Sequence, residues 1–423
     1  MNRLQHPRGM PDLLPADAPL WRHIEHTVID VVRRYGYQEF RPPLVEHVEV
    51  FKRSVGEVTD IVQKEMYVFE DRGGDQLALR PEGTAGLIRA GIQHGLLYNQ
   101  RQRFWYHGPM FRYERPQRGR VRQHHQIGAE AIGFAGPQLD IEILAMTARF
   151  WDALGFTQKP SLSLNSLGTP ASRQRFREQL IAFLRDHKAN LDEDSQDRIE
   201  RNPLRVLDSK VQSTQDILQQ APRLHDFFDD ESQEHFDAVQ TGLKLLDIDF
   251  EINPNLVRGL DYYSHTVFEW TTDQLGAQST VCGGGRYDGL VEQLGGKATP
   301  AVGFGMGLER IIELFKVQNL PMPTTMSMLS WVVVGDAAEV AYWPLSEKLR
   351  DLNNAFGQIG PAGGSFKSQM KYADRSGAEL ALILGDDEAA NQEVSIKELR
   401  NDVEQFQVGF NDLAAKIAER FKK

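Results

Sequence analysis

Apolar residues near the start of the chain recur at intervals of three and four, which is the spacing of one helix face. The residues that set this pattern are Leu20, Ile24, Val28, Val31 and Val32. They predict a helix over residues 18–35 that stops at Gly36, followed by a strand over residues 37–45. Pro42 and Pro43 lack the N–H that a strand donates, so this strand is expected at a sheet edge, a bulge or a subunit contact.

Farther along, alternation of period two predicts an antiparallel hairpin. Its strands are residues 103–114 and 124–133, joined by a loop over residues 115–123. One face carries Met110, Arg112, Glu114, Gln126, Gly128 and Glu130. The other carries Phe111, Tyr113, Ile127, Ala129 and Ala131, which we expect to pack inward. A polar face with a central glycine is typical of a ligand floor, because Gly128 leaves room for a bulky group.

The rest of the chain alternates between helical and strand patterns. Charged amphipathic segments predict a helical insertion over residues 170–248. Strands are then expected at 250–252, 261–271 and 278–282. Residues 301–316 predict a strand, a glycine-rich turn and a helix. Beyond a proline-containing linker, a compact α/β unit is expected. Its strands are predicted at 331–334, 380–384 and 393–396, and its helices at 337–352 and 410–421.

Charge adds a polyanionic ligand to this picture. The 423 residues carry a formal net charge of -11, yet residues 101–125 contain seven arginines, one acid (Glu114) and no lysine. A cationic island in an acidic protein indicates a specific polyanion. Arginine in particular favours planar contacts to phosphate or bases. The alternative, a salt-bridged surface loop, has few neighbouring acids to support it.

Several classes of protein are excluded or disfavoured. Cys282 is the only cysteine, so neither a disulfide framework nor a cysteine-rich zinc site is expected. No apolar run at the start of the chain or elsewhere predicts a signal peptide or a membrane span, which favours a cytoplasmic protein. The chain contains no P-loop, and residues 303–307 lack the spacing of a dinucleotide-binding motif. His124 and His125 lack further ligands at metal-binding spacing, so a metal-free role is favoured.

Three other segments carry candidate chemistry. Glu82 and Thr84 lie where a strand ends and a helix begins, a place that helix capping alone would explain. In residues 256–263, a bulge at Gly259 would be needed to bring a cation and a phenol to one site, and core strand and site are equally good interpretations. Arg310 is expected in the first turn of a helix, where a cation is unfavourable unless an anion lies nearby.

Together these segments resemble the class II aminoacyl-tRNA synthetases, and within them the histidyl-tRNA synthetase family. Residues 111–114 with the arginine loop look like the second class motif, residues 303–310 like the third, and the helix with Pro42 and Pro43 like the first. Residues 256–263 and 281–289 are similar to the two histidine-specific signatures. The resemblance covers essentially the whole chain.

The resemblance implies an α/β fold in two parts. Residues 1–325 would form an α+β catalytic domain, with an antiparallel sheet flanked by helices and the helical insertion at 170–248. Residues 330–423 would form an α/β anticodon-binding domain. The implied partners are histidine, ATP, tRNA(His) and a second copy of the chain in a homodimer. The insertion would brace the acceptor stem of the tRNA.

The resemblance also implies a two-step ligase reaction and its residues. Histidine would attack ATP to give histidyl-adenylate and diphosphate, and would then pass to the 3′-terminal adenosine of tRNA(His). The ATP-binding residues would be Arg112 at the α-phosphate, Glu114 at the adenine, and Arg120 and Arg310 at the outer phosphates. Mg²⁺ would be held mainly through these phosphates rather than by a protein site. Arg258, with Arg112, would be catalytic at the α-phosphate.

The remaining site residues divide between histidine and tRNA. The histidine-binding residues would be Glu82, Thr84, Gln126, Glu130, Tyr262, Tyr263 and Tyr287. Glu130 and Tyr263 would take the imidazole nitrogens, in an order that stays open. The residues facing the tRNA acceptor end would be Arg115, Gln117, Arg118 and Arg122. Two residues depart from the family pattern, His124 and His265.

Two other functions compete with the ligase. One is a histidine-sensing regulatory subunit of histidine biosynthesis, which resembles the catalytic domain but typically lacks the anticodon-binding domain and an intact signature at 258–263. The other is a nonspecific RNA-binding protein, which would leave Glu82 and Glu130 without a role. Both the signature and a C-terminal α/β unit are present here, which favours the ligase.

We predict that Arg258→Ala lowers histidine-dependent exchange of diphosphate into ATP by orders of magnitude, because the α-phosphate loses its cation. The circular dichroism spectrum and melting temperature should stay those of the parent protein. Near-normal exchange would remove Arg258 from the catalytic residues.

Overall fold

The chain is described from a computed structural model. The described residues are 3–56, 59–209, 211–257, 262–276, 280–323, 327–352 and 356–421. They form two compact units, Met1–Met322 and Pro323–Lys423. Arg258, Gly259 and Asp261 lie outside the described residues, and so does the predicted bulge at Gly259.

The first unit is a mixture of helices and strands. Its helices are α1 (Ala18–Arg34), α2 (Val48–Val55), α3 (Thr84–Gln93), α4 (Gln138–Ala153), α5 (Pro170–Asp186), α6 (Glu193–Arg201), α7 (Gln212–Leu218), α8 (Asp230–Leu245), α9 (Leu290–Gln293) and α10 (Leu308–Val317). Its strands are β1 (Gln38–Glu39), β2 (Val45–His47), β3 (Tyr67–Glu70), β4 (Gln76–Leu79), β5 (Gln102–Phe111), β6 (Gln123–Ile132), β7 (Ser161–Ser166), β8 (Glu251–Ile252), β9 (Ser264–Thr271), β10 (Thr280–Arg286) and β11 (Ala301–Gly307). A π-helical turn covers Ile61–Glu65, and a 3₁₀ helix covers Pro203–Asp208.

Eight strands form the main sheet, in the order β1-β5-β6-β11-β10-β9-β7-β8. The six inner strands are antiparallel, and the two edge strands, β1 and β8, run parallel to their neighbours. The predicted antiparallel sheet with flanking helices is therefore confirmed. The largest core contains apolar side chains of α1, α4, α8 and α10 together with residues of the sheet.

The two prolines break the segment after α1. In place of one strand over residues 37–45, the structure has β1, which pairs only with β5, and β2, which joins a separate sheet of order β2-β4-β3. The expected place at a sheet edge is confirmed for β1. The single strand was wrong, because Pro42 and Pro43 have no N–H with which to continue the ladder.

The glycine-rich turn predicted within residues 301–316 was also wrong. Gly303, Gly305 and Gly307 all lie in β11, which pairs with β6 on one side and β10 on the other. Several glycines close together in a sequence normally indicate a turn. Here the glycines are required because the backbone of β11 approaches side chains of β6 too closely for a Cβ atom.

Residues 170–248 are helical, as predicted, but they do not all belong to a separate insertion. Side chains of α5, α6 and α7 pack in a second core with Tyr262, Tyr263 and Tyr287. By contrast, Phe236, Val239 and Leu243 of α8 belong to the core of the main sheet. Helix α8, at the end of the predicted insertion, therefore packs as part of the sheet domain.

The second unit is the predicted α/β unit. Its strands are β12 (Ser327–Val334), β13 (Phe356–Ile359), β14 (Leu380–Gly385), β15 (Glu393–Glu398) and β16 (Phe406–Gly409). Its helices are α11 (Asp336–Arg350), α12 (Phe366–Arg375), α13 (Asp386–Asn391) and α14 (Phe410–Arg420). The sheet order is β13-β12-β14-β15-β16, with the first three strands parallel. Within the described ranges of both units, helices fall short of the length and apolarity that crossing a bilayer requires.

Candidate functional site

One cavity of about 430 Å³ collects most of the predicted site residues. This volume suits a small molecule of metabolite size. The predicted residues that line it are Glu82, Thr84, Arg112, Glu114, Arg120, Gln126, Glu130, Tyr262, Tyr263, Tyr287 and Arg310. Strand β6 crosses its floor beside β11, with Gln126 opposite Gly307 and Glu130 opposite Gly303.

The centre of the floor differs from the prediction. A Cβ at Gly128 would lie 2.3 Å from the Tyr106 ring, so the glycine makes room for that ring and not for a ligand. Tyr106 is buried on β5, and its hydroxyl accepts from Gln126 Nε2 at 3.2 Å. Tyr113 was also expected inside, but 54% of it is exposed. Strand β5 ends at Phe111, so alternation no longer governs the residues after it.

Glu82 holds the start of helix α3. Its two carboxylate oxygens accept the backbone N–H groups of Thr84 and Ala85, at 2.6 and 2.8 Å. Burial raises the pKa of Glu82, and these two N–H donors oppose the rise. Glu82 therefore caps α3, which is the role that its position in the sequence already explained. The same carboxyl group also lines the cavity.

Glu130 is the most deeply buried acid of the cavity, at 1% exposure. Its oxygens accept hydrogen bonds from Thr84 Oγ1 at 2.7 Å and from the Tyr287 hydroxyl at 2.5 Å. Burial raises the pKa of Glu130 to about 8, and the Glu82 charge adds to the rise while the two hydroxyls oppose it. Near neutral pH this carboxyl is therefore poised between its two protonation states.

The glycines of β11 give these side chains their space. A Cβ at Gly303 would lie 1.7 Å from Glu130 Oε2, and one at Gly305 would lie 2.0 Å from Gln126 Nε2. Both distances are far below van der Waals contact. The acid and the amide can therefore lie flat across the neighbouring strand, with their polar atoms at the cavity surface.

The opposite half of the cavity is cationic. Arg112 donates from Nε to the Pro81 carbonyl at 2.8 Å, Arg120 pairs with Glu114, and Arg310 donates to the Thr280 carbonyl. Burial, together with the charges of Arg120 and Arg112, lowers the pKa of Arg310 to about 10, against the opposing charge of Glu269. Like charges held this close favour an anion between them.

The two histidine departures occupy different places. His124 lines the cavity, where burial together with the charges of Arg112, His125, Arg310 and Arg120 lowers its pKa to about 3. A neutral ring there adds no charge to the arginine cluster. His265 is buried against His235, with ring centroids 4.7 Å apart, and does not line the cavity.

The four residues expected at the tRNA end lie outside the cavity lining. Arg115, Gln117 and Arg118 are exposed, and Arg118 pairs with Glu313 at 2.5 Å. Arg122 is half-buried, with its guanidinium 3.7 Å from the centroid of the Tyr113 ring. Within the arginine loop, Arg120 therefore lines the cavity, whereas the four residues expected at the tRNA end do not.

Sequence reasoning missed three charged residues among those that line the cavity. Glu309 accepts the backbone N–H of His125 at 2.9 Å, Glu269 accepts from Thr280 Oγ1 at 2.9 Å, and Arg205 reaches the cavity from the helical segment. Glu309 sits beside Arg310 in a first helical turn, where an acid is ordinary. Nothing in the pattern of residues 203–208 signals a site. Among the residues described, no three His, Cys, Asp or Glu side chains cluster to hold a metal ion.

Comparison with known proteins is consistent along the whole chain. A family model for histidyl-tRNA synthetase matches residues 9–311, and a model for an anticodon binding domain matches residues 332–420. The crystal structure of apo S. aureus histidyl-tRNA synthetase is similar at 34% identity, with a TM-score of 0.81 and full coverage of both chains.

Two more distant structures share the fold. A histidyl-tRNA synthetase from Nostoc sp. PCC 7120 is 22% identical, with a TM-score of 0.68, and covers 99% of this chain and 100% of its own. A protein from Bacillus halodurans C described as an ATP phosphoribosyltransferase regulatory subunit/histidyl-tRNA synthetase is 19% identical, with a TM-score of 0.66, and covers 91% and 99%.

We predict that Glu130 makes stability depend on pH. Its pKa in the folded chain lies above the unfolded value, so its contribution is complete below about pH 4.5 and is lost as pH rises towards 8. Between these limits the loss is up to about 1.4 kcal/mol per pH unit. Glu130→Gln, which stays neutral, should remove this dependence in calorimetric unfolding of the ligand-free protein. Parallel profiles for the two proteins would contradict the raised pKa.

We also predict that Gly303→Ala destabilises the first unit by about 1–3 kcal/mol or more, because the new methyl group overlaps Glu130 and the Ala129 carbonyl. Gly307→Ala is the matched control on the same strand, since its Cβ would meet nothing within 4 Å. Denaturant unfolding measures both. Equal effects would show that strand propensity, and not the close approach to Glu130, sets the need for glycine.

Proposed function

Because the chain belongs to the histidyl-tRNA synthetase family, we propose that it is a histidine–tRNA ligase. It activates histidine with ATP to histidyl-adenylate and diphosphate, and then transfers histidine to the 3′-terminal adenosine of tRNA(His). One observation carries this proposal most directly. A single cavity joins a buried pair of acids, Glu82 and Glu130, to a cluster of three arginines.

The acidic half suits histidine. Glu82, Thr84 and Gln126 would bind the ammonium group and backbone of the amino acid, while Tyr262 and Tyr287 line the pocket. Glu130 and Tyr263 would contact the imidazole nitrogens. A carboxyl with a pKa of about 8 can donate to a ring nitrogen or accept from a ring N–H. An analogue without these nitrogens would leave buried polar groups unpaired, which rejects it strongly.

The cationic half suits the phosphates of ATP. A carboxylate oxygen of histidine attacks the α-phosphorus, a new O–P bond forms, and the bond to diphosphate breaks. Arg112 would stabilise charge at the α-phosphate, Arg120 and Arg310 would bind the outer phosphates, and Glu114 would contact the adenine. The protein mainly positions the groups and stabilises charge in such a displacement. Arg258 remains the second proposed catalytic cation.

Magnesium would accompany ATP. Its preferred ligands are oxygens in octahedral geometry, and it usually retains several waters and binds through substrate phosphates. The carboxylates of Glu269 and Glu309 line the cationic half and could supply protein oxygens. Bound Mg²⁺ would neutralise the charge on the leaving diphosphate.

The second step would bring in tRNA. A ribose hydroxyl of the terminal adenosine attacks the carbonyl carbon of histidyl-adenylate, and AMP leaves. Arg115, Gln117, Arg118 and Arg122 would contact the acceptor end, where single-stranded nucleotides can be read. Residues 330–423 would bind the anticodon, and residues 1–325 would carry the catalysis. We place the reaction in the cytoplasm.

The proposal includes a homodimer. One face of the small sheet β2-β4-β3 leaves apolar side chains in contact with solvent, including Val45 and Phe69 at 40 and 42% exposure. Neighbouring exposed apolar residues are typical of a subunit contact. The first class motif, which includes Pro42 and Pro43, lies just before β2.

The alternative is a histidine-sensing regulatory subunit, and diphosphate exchange distinguishes it from the ligase. We expect the purified protein to exchange labelled diphosphate into ATP only when histidine is present, and to charge tRNA(His). Histidinol, which lacks the carboxylate, should inhibit without supporting exchange. A protein that binds histidine but shows no exchange would be a sensing subunit, and the ligase proposal would fail.

A further inference from the structure

Arg205 connects the central cavity to a second one. The second cavity, about 260 Å³, is lined by residues 59–64 on one side and by α6 with the turn after it on the other. Its lining residues are Thr59, Asp60, Gln63, Lys64, Asp194, Asp197, Arg198, Arg201, Asn202 and Arg205. Among the described residues, Arg205 alone lines both cavities. The helical segment therefore reaches the reaction site as well as the surface around it.

Packing fixes the position of Arg205. It lies on the 3₁₀ helix Pro203–Asp208, where the next two residues, Val206 and Leu207, are 0 and 8% exposed. Both belong to the same core as Tyr262 and Tyr263 of the central cavity. Arg205 itself is half-buried. A cation on a turn anchored this way keeps its place in the lining of the central cavity.

The second cavity is suited to an anion that comes from outside. Arg198, Arg201 and Arg205 follow one another at steps of three and four, and all three line it. Of the three acids present, Asp60 already pairs with Lys64 and Arg198, at 3.4 and 3.6 Å. Asp194 lies in the first turn of α6, where the helix dipole favours an acid, and Asp197 lies one turn before Arg201. Arg205, the last of the three arginines, marks the end that adjoins the central cavity.

The location points to nucleic acid rather than to ATP. We assign the phosphates of ATP to Arg112, Arg120 and Arg310, which line the central cavity but not the second one. The π-helical turn Ile61–Glu65 is also tied to the residues just before the arginine loop, since Tyr113 N–H donates to the Glu65 carbonyl at 2.7 Å. A polyanion bound between the loop and α6 would thus arrive at the acidic half, where histidine is activated.

We propose that Arg205 binds a backbone phosphate in the single-stranded 3′ end of the tRNA, and that the second cavity holds the nucleotides just before the terminal adenosine. This rests on the proposed ligase function. The helical segment then has a task inside the site: Arg205 places the terminal ribose against the histidyl group. Arg198 and Arg201 would attract the preceding phosphates.

The test compares tRNA charging by Arg205→Gln and Arg205→Lys over a series of KCl concentrations. Loss of one phosphate contact should lower kcat/KM for tRNA roughly tenfold or more in Arg205→Gln. It should also reduce the slope of log kcat/KM against log salt by about 0.7. Arg205→Lys keeps the charge and should retain most of that slope. A merely structural role would not separate the two variants in this way.

Two further measurements complete the design. Arg185→Ala is the control, because Arg185 lies on the same helical segment, pairs with Glu200 and lines neither cavity. It should charge tRNA with the parent's salt slope. Histidine-dependent exchange without tRNA should fall far less than charging in Arg205→Gln. A single-turnover assay with preformed histidyl-adenylate should then locate the defect in transfer.

Three results would overturn the inference. An unchanged salt slope in Arg205→Gln would remove the phosphate contact. Exchange that falls as far as charging would place Arg205 in the site for histidine or ATP. Charging equal to that of the parent would leave Arg205 without a role in tRNA binding. Failure of the ligase proposal is distinct, since the parent protein itself would then show no histidine-dependent exchange.

Discussion

The burial of one carboxyl group governs the architecture of the site. Glu130 has almost no contact with solvent, and a buried acid is unstable unless donors satisfy both of its oxygens. Those donors come from distant parts of the chain: Thr84 starts α3, and Tyr287 follows β10. One hydrogen-bond requirement thus fixes a helix start and a strand end against the centre of the sheet. The raised pKa of Glu130 is the remaining destabilisation, which a ligand with ring nitrogens would relieve.

Glycine in β11 is the second part of this solution. A strand with three glycines has fewer side chains to pack, and its backbone loses more conformational entropy on folding. Both effects normally weaken a sheet. Here the loss makes space for Glu130 and Gln126 to lie across the strand. The neighbouring strands β6 and β10 hold β11 on both sides, so pairing offsets its weak propensity. The glycines of β11 therefore lower the stability of this strand, and they allow polar side chains to form the floor of the cavity.

The cluster of Arg112, Arg120 and Arg310 places positive charges close together in a partly buried site, so these charges repel one another. Burial lowers the pKa of Arg120 and that of Arg310; the charge of Arg112 adds to both shifts, and the charge of Arg120 adds to the shift of Arg310. Backbone carbonyls of Pro81 and Thr280 and the carboxylate of Glu114 orient the three guanidinium groups. Such oriented donors need little reorganisation when charge develops on a phosphate. The neutral ring of His124 avoids increasing the repulsion.

The sequence by itself determined most of the element types, the antiparallel hairpin, the C-terminal α/β unit and most of the charged residues that meet in the cavity. Period and residue type are local properties, and strongly periodic segments such as α1 reveal them directly. Tertiary structure alone decided that the glycines of β11 form a strand, that Gly128 accommodates Tyr106, and that α8 belongs to the main core. It also brought Arg205 into the cavity. Each of these depends on which side chain lies opposite across a sheet or a core, and sequence spacing carries no record of that neighbour.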